Sequence, residues 1–255
     1  MRYPGDHREF LKTNVWRMLS HGDFVTDDNK GLPRPPVEKP IPPGAPLIEL
    51  VPPDAFTLGS LPIRKVIEKR RSRRRYTEEP LTLEELSYLL WATQGVSGTF
   101  QLKNGMVTLR TVPSGGCLHP FETYLCINRV EGLDVGLYRY LPLEHKLVLV
   151  HTEDNLATRI AKAAAGQRFV AKAAVIFVWT AIPYRTEWKY GVASHKIIAT
   201  DAGHMCQNLY LAAESIGAGA CAVGAYYQNE MDAVLGVDGN DEFVIYLAPV
   251  GKIAE

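Results

Sequence analysis

The longest apolar stretch of the chain, AAVIFVWTAI from Ala173 to Ile182, sets the first limit on what this sequence can fold into. Ten residues are too few to cross a bilayer. A continuous apolar run rich in Val, Ile, Phe and Trp reads instead as a strand buried within a sheet. Further strands are expected at Met106–Val112, Thr123–Val130, Gly136–Leu141 and Lys146–Val150, and in ACAVGAYY and FVIYLAPVG near the end. Helices are expected between them. Leu61–Arg70 spaces Ile63, Val66 and Ile67 helically, and Thr82 with Glu85 forms a capping box for a helix ending at Gly95. An Ala-rich helix covers Asn155–Ala165, and a short one lies near Glu230–Leu235. Strands near both ends, flanking several helices, predict an α+β fold with a central mixed or antiparallel sheet packed by helices.

One helix is unusually long, from about Val192 to Ile216. Ile198, Ala202, Met205, Leu209, Ala212, Ala213 and Ile216 give it an apolar face at i, i+3, i+4 spacing. Asp201, His204 and Asn208 form a polar stripe, read either as ordinary surface or as hydrogen bonds at a dimer seam. The first quarter of the chain is different. Nine of the seventeen prolines fall between Gly31 and Pro53, so residues 1–60 are read as an extended, polyproline-like arm ahead of a domain at 61–255. Leu47, Ile48, Leu50 and Val51 suggest that the arm straps across a folded surface, against the plainer reading of a disordered tail. The start, MRYPGDHREFLKTNVW, has no apolar core of a signal peptide. Cys117, Cys126, Cys206 and Cys221 form no C-x-x-C pair, which predicts reduced thiols and a cytoplasmic setting.

Four segments can carry chemistry. In Lys69-Arg70-Arg71-Ser72-Arg73-Arg74-Arg75-Tyr76, six cations fall in seven residues. A nucleic-acid groove needs a broad basic surface, whereas this run is isolated in a chain with 28 basic and 28 acidic residues. A compact anion site suits it better, since arginines grip phosphate bidentately and a serine adds a donor. In extended form, Arg70, Ser72 and Arg74 project to one side, and Arg71, Arg73 and Arg75 to the other. The segment Arg110-Thr111-Val112-Pro113-Ser114-Gly115-Gly116-Cys117-Leu118-His119-Pro120 reads as a turn whose backbone can approach a flat ligand. Gly217-Ala218-Gly219 imitates a dinucleotide fingerprint, but it follows a helix and precedes a strand, the reverse of what that motif needs. Glu187-Trp188-Lys189-Tyr190-Gly191, taken alone, reads as an exposed loop. Neither Cys117-x-His119 nor His204-x-Cys206 has zinc-ligand spacing, so no metal is expected.

Together these segments, from Leu61 to Gly251, resemble the FMN-dependent nitroreductase-like superfamily, and within it the SagB-type, azoline dehydrogenase-like branch. The basic run with Tyr76, followed by Pro80-Leu81-Thr82-Leu83-Glu84-Glu85-Leu86, looks like the family's R-R-S-x-R-x-[FY] start and L-x-x-L-L helix. The resemblance implies that Arg70, Arg71, Ser72 and Arg74 hold the phosphate, ribityl chain and pyrimidine edge of FMN. The second segment is similar to R-x-x-P-S-A-G-A-L-Y-P. This implies that Pro113, Ser114, Gly115 and Gly116 contact flavin from the neighbouring subunit of a homodimer. Cys117 stands where general nitroreductases have Asn, and His119 where the branch usually has Tyr. Val223, Gly224 and Ala225 inherit a main-chain contact near flavin N5. Lys189 and Tyr190 match a pair implicated in azoline oxidation, and a Lys beside a Tyr would lower the phenol's pKa so that it serves as a base.

The implied function is hydride transfer to or from flavin N5, oxidising a thiazoline or oxazoline in a peptide. The same scaffold also runs as an NAD(P)H-dependent nitro or quinone reductase. A reading from another class is a non-catalytic flavin-binding or interaction protein. The expected partners are a second copy of the chain and a small-molecule or peptide substrate, with neither nucleic acid nor membrane.

Overall fold

The computed structural model describes residues 10–12, 15–17 and 24–254. Much of the opening segment read for a leader lies outside the described residues. The apolar run forms β7 (Val175–Ala181), with all seven residues buried. It sits inside a seven-stranded sheet of order β1-β6-β5-β4-β7-β9-β8. The other strands are β1 (Leu47–Glu49), β4 (Phe121–Ile127), β5 (Gly136–Leu141), β6 (Lys146–His151), β8 (Ala218–Ala220) and β9 (Phe243–Lys252). Every pairing between these strands is antiparallel.

Side chains alternate across β7, and each face meets its own layer. Val175, Phe177 and Trp179 pack with Leu86, Leu89 and Leu90 of α2 (Leu83–Gln94) and with Ile198, Met205 and Leu209 of α5 (Ser194–Ser215). Ile176 and Val178 pack with α3 (Leu156–Ala163) and α6 (Gln228–Leu235) on the other face. A strand covered on both faces has no polar side to show, which explains the unbroken apolar run. Each fully buried side chain of this size contributes about 1.5–3 kcal/mol.

Several expected boundaries hold. The Thr82–Glu85 capping box is present, and Gly95 follows α2 as its cap. Gly217 ends α5 with φ +70°, a backbone conformation open to glycine at little cost. Two expectations need correction. Of ACAVGAYY, Ala220–Tyr227, only Ala220 lies in a strand, as the last residue of β8, with one further bridge from Val223 to Leu247. Between them, the Ala222 N–H leaves the ladder to donate to the Tyr210 hydroxyl at 2.7 Å. The Glu187–Gly191 segment is not a loop, because α4 (Tyr184–Tyr190) runs through it and Trp188 is buried. β3 (Gly105–Arg110) pairs only with β2 (Val96–Leu102), a strand not foreseen, in a hairpin separate from the main sheet.

The arm is tied down by the body. β1 pairs with β6, and the Arg110 and Arg139 guanidiniums donate to the carbonyls of Val37, Lys39 and Pro40. Beneath them Glu122, on β4, bridges Arg139 at 3.1 Å and Arg185 at 2.6 Å, all three buried. Among the described residues, no helix is long and apolar enough to cross a membrane.

Candidate active site

The basic run leaves α1 (Ile63–Lys69) in extended form, because Ser72 makes a parallel bridge to Ala220 and the Arg73 N–H donates to the Ala220 carbonyl. The predicted alternation follows. The Arg70 guanidinium lies 5.2 Å from the Tyr210 ring centre, and the Ser72 and Tyr210 hydroxyls are 3.0 Å apart. Arg74 lies over Phe169 at 5.7 Å and beside the Cys221 thiol. Arg73 turns the other way and packs where a Cβ on Gly219 would come within 2.5 Å of its Cγ. Arg71 folds back, donating to the carbonyls of Glu68 and Arg70 at the end of α1. Three of the four residues implied to hold FMN therefore converge, and Arg71 stands apart from them. Among the described residues, none of the six cations from Lys69 to Arg75 is paired with a carboxylate.

The Pro113–Pro120 segment is a tight, strained turn. Gly116, Cys117 and His119 have φ of 63°, 53° and 44°, sparsely populated values for the two side-chain-bearing residues. Asp201 holds it in place, accepting from the Ser114 hydroxyl at 2.7 Å and the Gly115 N–H at 3.0 Å. Burial raises the Asp201 carboxyl above its usual range, and these two hydrogen bonds oppose the shift. Both glycines are required by close approach. A Cβ on Gly115 would come within 2.5 Å of Ile197, and one on Gly116 within 2.7 Å of the Tyr190 hydroxyl. His119 is buried, and burial with Arg110 nearby pushes its pKa down to about 3, so it is neutral at physiological pH.

Lys189 and Tyr190 end α4 and pack on that turn, with the Lys189 ammonium 5.7 Å from the Tyr190 ring centre. The expected activation of the phenol is reversed. Burial raises the Tyr190 pKa above its ordinary value, helped by Cys117 and Asp201, and Arg34 opposes the shift only in part. Two residues of the polar stripe of α5 make bonds within the chain. Asp201 serves the turn, and Asn208 donates to the carbonyls of Ala92 and Thr111. His204 alone of the three is exposed.

The site thus has two clusters on one helix. Asp201 and Tyr210 are nine residues apart on α5, about 13 Å at 1.5 Å per residue. Val223 pairs with Leu247 close to the Tyr210 cluster, Gly224 lies against Tyr246, and the Ala225 carbonyl accepts from Gln167. Tyr210 and Arg34 escaped the sequence reading, which named Asp201 only within the polar stripe. Tyr210 and Arg34 are visible only once distant segments meet.

A family model described as "Nitroreductase family" matches residues 67–252, most of the chain. The chain belongs to the nitroreductase family. Its relatives within and around the family bear this out. The "putative nitroreductase" of Methanocaldococcus jannaschii is 36% identical over 198 residues, covering 78% of this chain and 94% of that protein. The crystal structure of another such protein, from Ralstonia eutropha, superposes with a TM-score of 0.66 at 29% identity, covering 88% of this chain and all of the other. A shorter match, 30% identical over 112 residues, is to the microcin B17-processing protein McbC of Escherichia coli, covering 42% of this chain and 41% of that protein. As a nitroreductase-family member, the chain is an oxidoreductase with an α+β fold.

Proposed function

We propose that this oxidoreductase is FMN-dependent, and that it oxidises a thiazoline or oxazoline within a peptide. The observation that carries the cofactor is the convergence of Arg70, Ser72 and Arg74 with no carboxylate among the described residues to neutralise them. Such a donor set fits a phosphate dianion. Bound there, FMN would supply a two-electron acceptor whose N5 takes hydride. The similarity to a microcin-processing protein supports a peptide substrate. A second copy of the chain belongs to this reading, since Ile63 and Ile67 on α1 are 62% and 60% exposed. The cheapest test is spectral. A purified protein that is colourless and gains no flavin spectrum with added FMN overturns the cofactor and favours a non-catalytic role.

Tyr190 is the group we assign to the proton. In the oxidative direction its oxygen takes a proton from the carbon next to the ring heteroatom, so the phenol must first ionise. Because its pKa lies above the ordinary tyrosine value, only a small fraction is ionised near neutrality. The turnover rate for azoline oxidation is then expected to climb about tenfold per pH unit from neutrality upward until that pKa is reached. Tyr190→Phe should remove the slope. A nitro or quinone reductase is the second reading, favoured by the same raised pKa, because a neutral phenol can donate its proton. That direction predicts a flat rate near neutrality that falls above the pKa. Stopped assays across pH with NAD(P)H plus quinone, and with azoline peptide, separate the two readings.

A further inference from the structure

We propose that Arg34 is a positioning residue of the candidate site. Carried by the proline-rich arm, outside the family-matched residues, it holds the Gly116–Cys117 turn against Tyr190 and presents a fixed cation to that phenol. The inference rests on the reading of Tyr190 as the group that handles the proton.

The arm reaches this place through a set of contacts within one chain. The Asp28 N–H donates to the Trp188 carbonyl at 2.9 Å, and the Trp188 indole N–H donates to the Leu32 carbonyl at 3.2 Å. The Arg34 N–H donates to the Asn104 carbonyl in the β2–β3 turn, whose side chain in turn donates to Asp28. Gly105 is needed there, since a Cβ would come within 2.8 Å of the Arg34 Cβ. So fixed, the Arg34 guanidinium lies 5.9 Å from the Trp188 ring centre and donates to the Cys117 carbonyl at 2.5 Å, with the Gly116 carbonyl at 3.5 Å.

Those two carbonyls belong to successive residues with positive φ. A turn in such a conformation persists only when its surroundings hold it. Asp201 grips its first half through Ser114 and Gly115, and Arg34 grips its second half through Gly116 and Cys117. Gly116 is also the residue against which the Tyr190 hydroxyl rests. Cation and phenol therefore share one anchor.

Among the described residues, the charged and titratable groups that act on Tyr190 include Asp28 and Arg34 from the arm, Cys117 from the turn, Asp201 from α5, and Lys189 from α4 itself. Asp28, Cys117 and Asp201 make the phenolate harder to form, and Arg34 makes it easier. An arginine remains cationic through the working range even when half-buried.

The test is the titration of the Tyr190 phenol, followed by NMR of protein carrying 13C at tyrosine Cζ and assigned with Tyr190→Phe. Two variants separate charge from shape. Arg34→Gln keeps a donor for the turn and loses the cation, whereas Arg34→Lys keeps the cation. The Tyr190 midpoint is expected to rise by about half a pH unit or more in Arg34→Gln, and to stay within about 0.2 of the parent in Arg34→Lys. Equal midpoints in the parent and Arg34→Gln overturn the proposal. So does an equal rise in both variants, which would mark a merely structural role. The remaining tyrosine resonances report whether each variant is folded. This titration needs neither flavin nor substrate, so its failure is distinct from that of a colourless protein.

Discussion

Glu122→Ala is expected to lower stability by about 3–5 kcal/mol, because it leaves two buried guanidiniums without their shared anion. Arg139 and Arg185 have side-chain exposures of 5% and 4%, and each is bonded to a different oxygen of Glu122. The Arg185 Nη1 is already buried without a hydrogen-bond partner among the described residues, so little hydrogen bonding is in reserve. For a chain of this length the loss corresponds to a fall in melting temperature of about 6–20 °C. An informative control is Lys30→Ala. Lys30 and Asp27 also pair at 2.9 Å, but Lys30 is exposed and Asp27 only partly covered, so the cost should be far smaller. Thermal unfolding followed by circular dichroism measures both, and equal shifts would remove the buried triad from the account. The same variant should loosen the arm. Arg139 holds the carbonyls of Lys39 and Pro40, Glu122 accepts from the Lys39 N–H, and Arg185 ties in α4, which carries Tyr190.

The second large effect concerns cofactor affinity. Arg70→Ala and Arg74→Ala are each expected to weaken FMN binding by about tenfold or more, the worth of a charge-assisted hydrogen bond of roughly 1.5–3 kcal/mol. The double variant should approach the product of the two if they grip independently. Arg71→Ala is the discriminating case. Its guanidinium is occupied with carbonyls at the end of α1, so a change of less than about threefold is expected. Fluorescence quenching of FMN on titration gives the three constants. A loss at Arg71 as large as at Arg74 would show that Arg71 swings over to the flavin, as the family resemblance implies.

Local signals were legible in the sequence where a short stretch decides its own structure. The capping box at Thr82 and Glu85, the apolar run of β7, the face of α5 and the side-to-side alternation of Arg70, Ser72 and Arg74 all depend on spacing alone. α4 was missed, although Pro183 at its start is a helix signal. Its interior shows no clean apolar stripe, because Arg185 is buried for an ion pair rather than for packing. β2 was missed because its hairpin is largely exposed and carries little burial pattern. The Tyr190 pKa was read from its sequence neighbour Lys189, but the groups that govern it are burial, Cys117 and Asp201. Proximity in sequence was a poor guide to electrostatic environment there, since a flexible ammonium at the helix surface competes with loss of water around the whole ring.

β1 gives the proline-rich arm a duty separate from the active site. It caps β6 through residues Leu47–Glu49, and β6 would otherwise end the sheet with an open row of backbone donors and acceptors. Val150 on that strand is already 45% exposed. A chain shortened to begin at residue 61 would uncover this row, which is a template for joining a neighbouring sheet. Such a chain is expected to scatter light increasingly with concentration while the full-length protein stays clear. The arm would then be what keeps the protein from polymerising edge to edge.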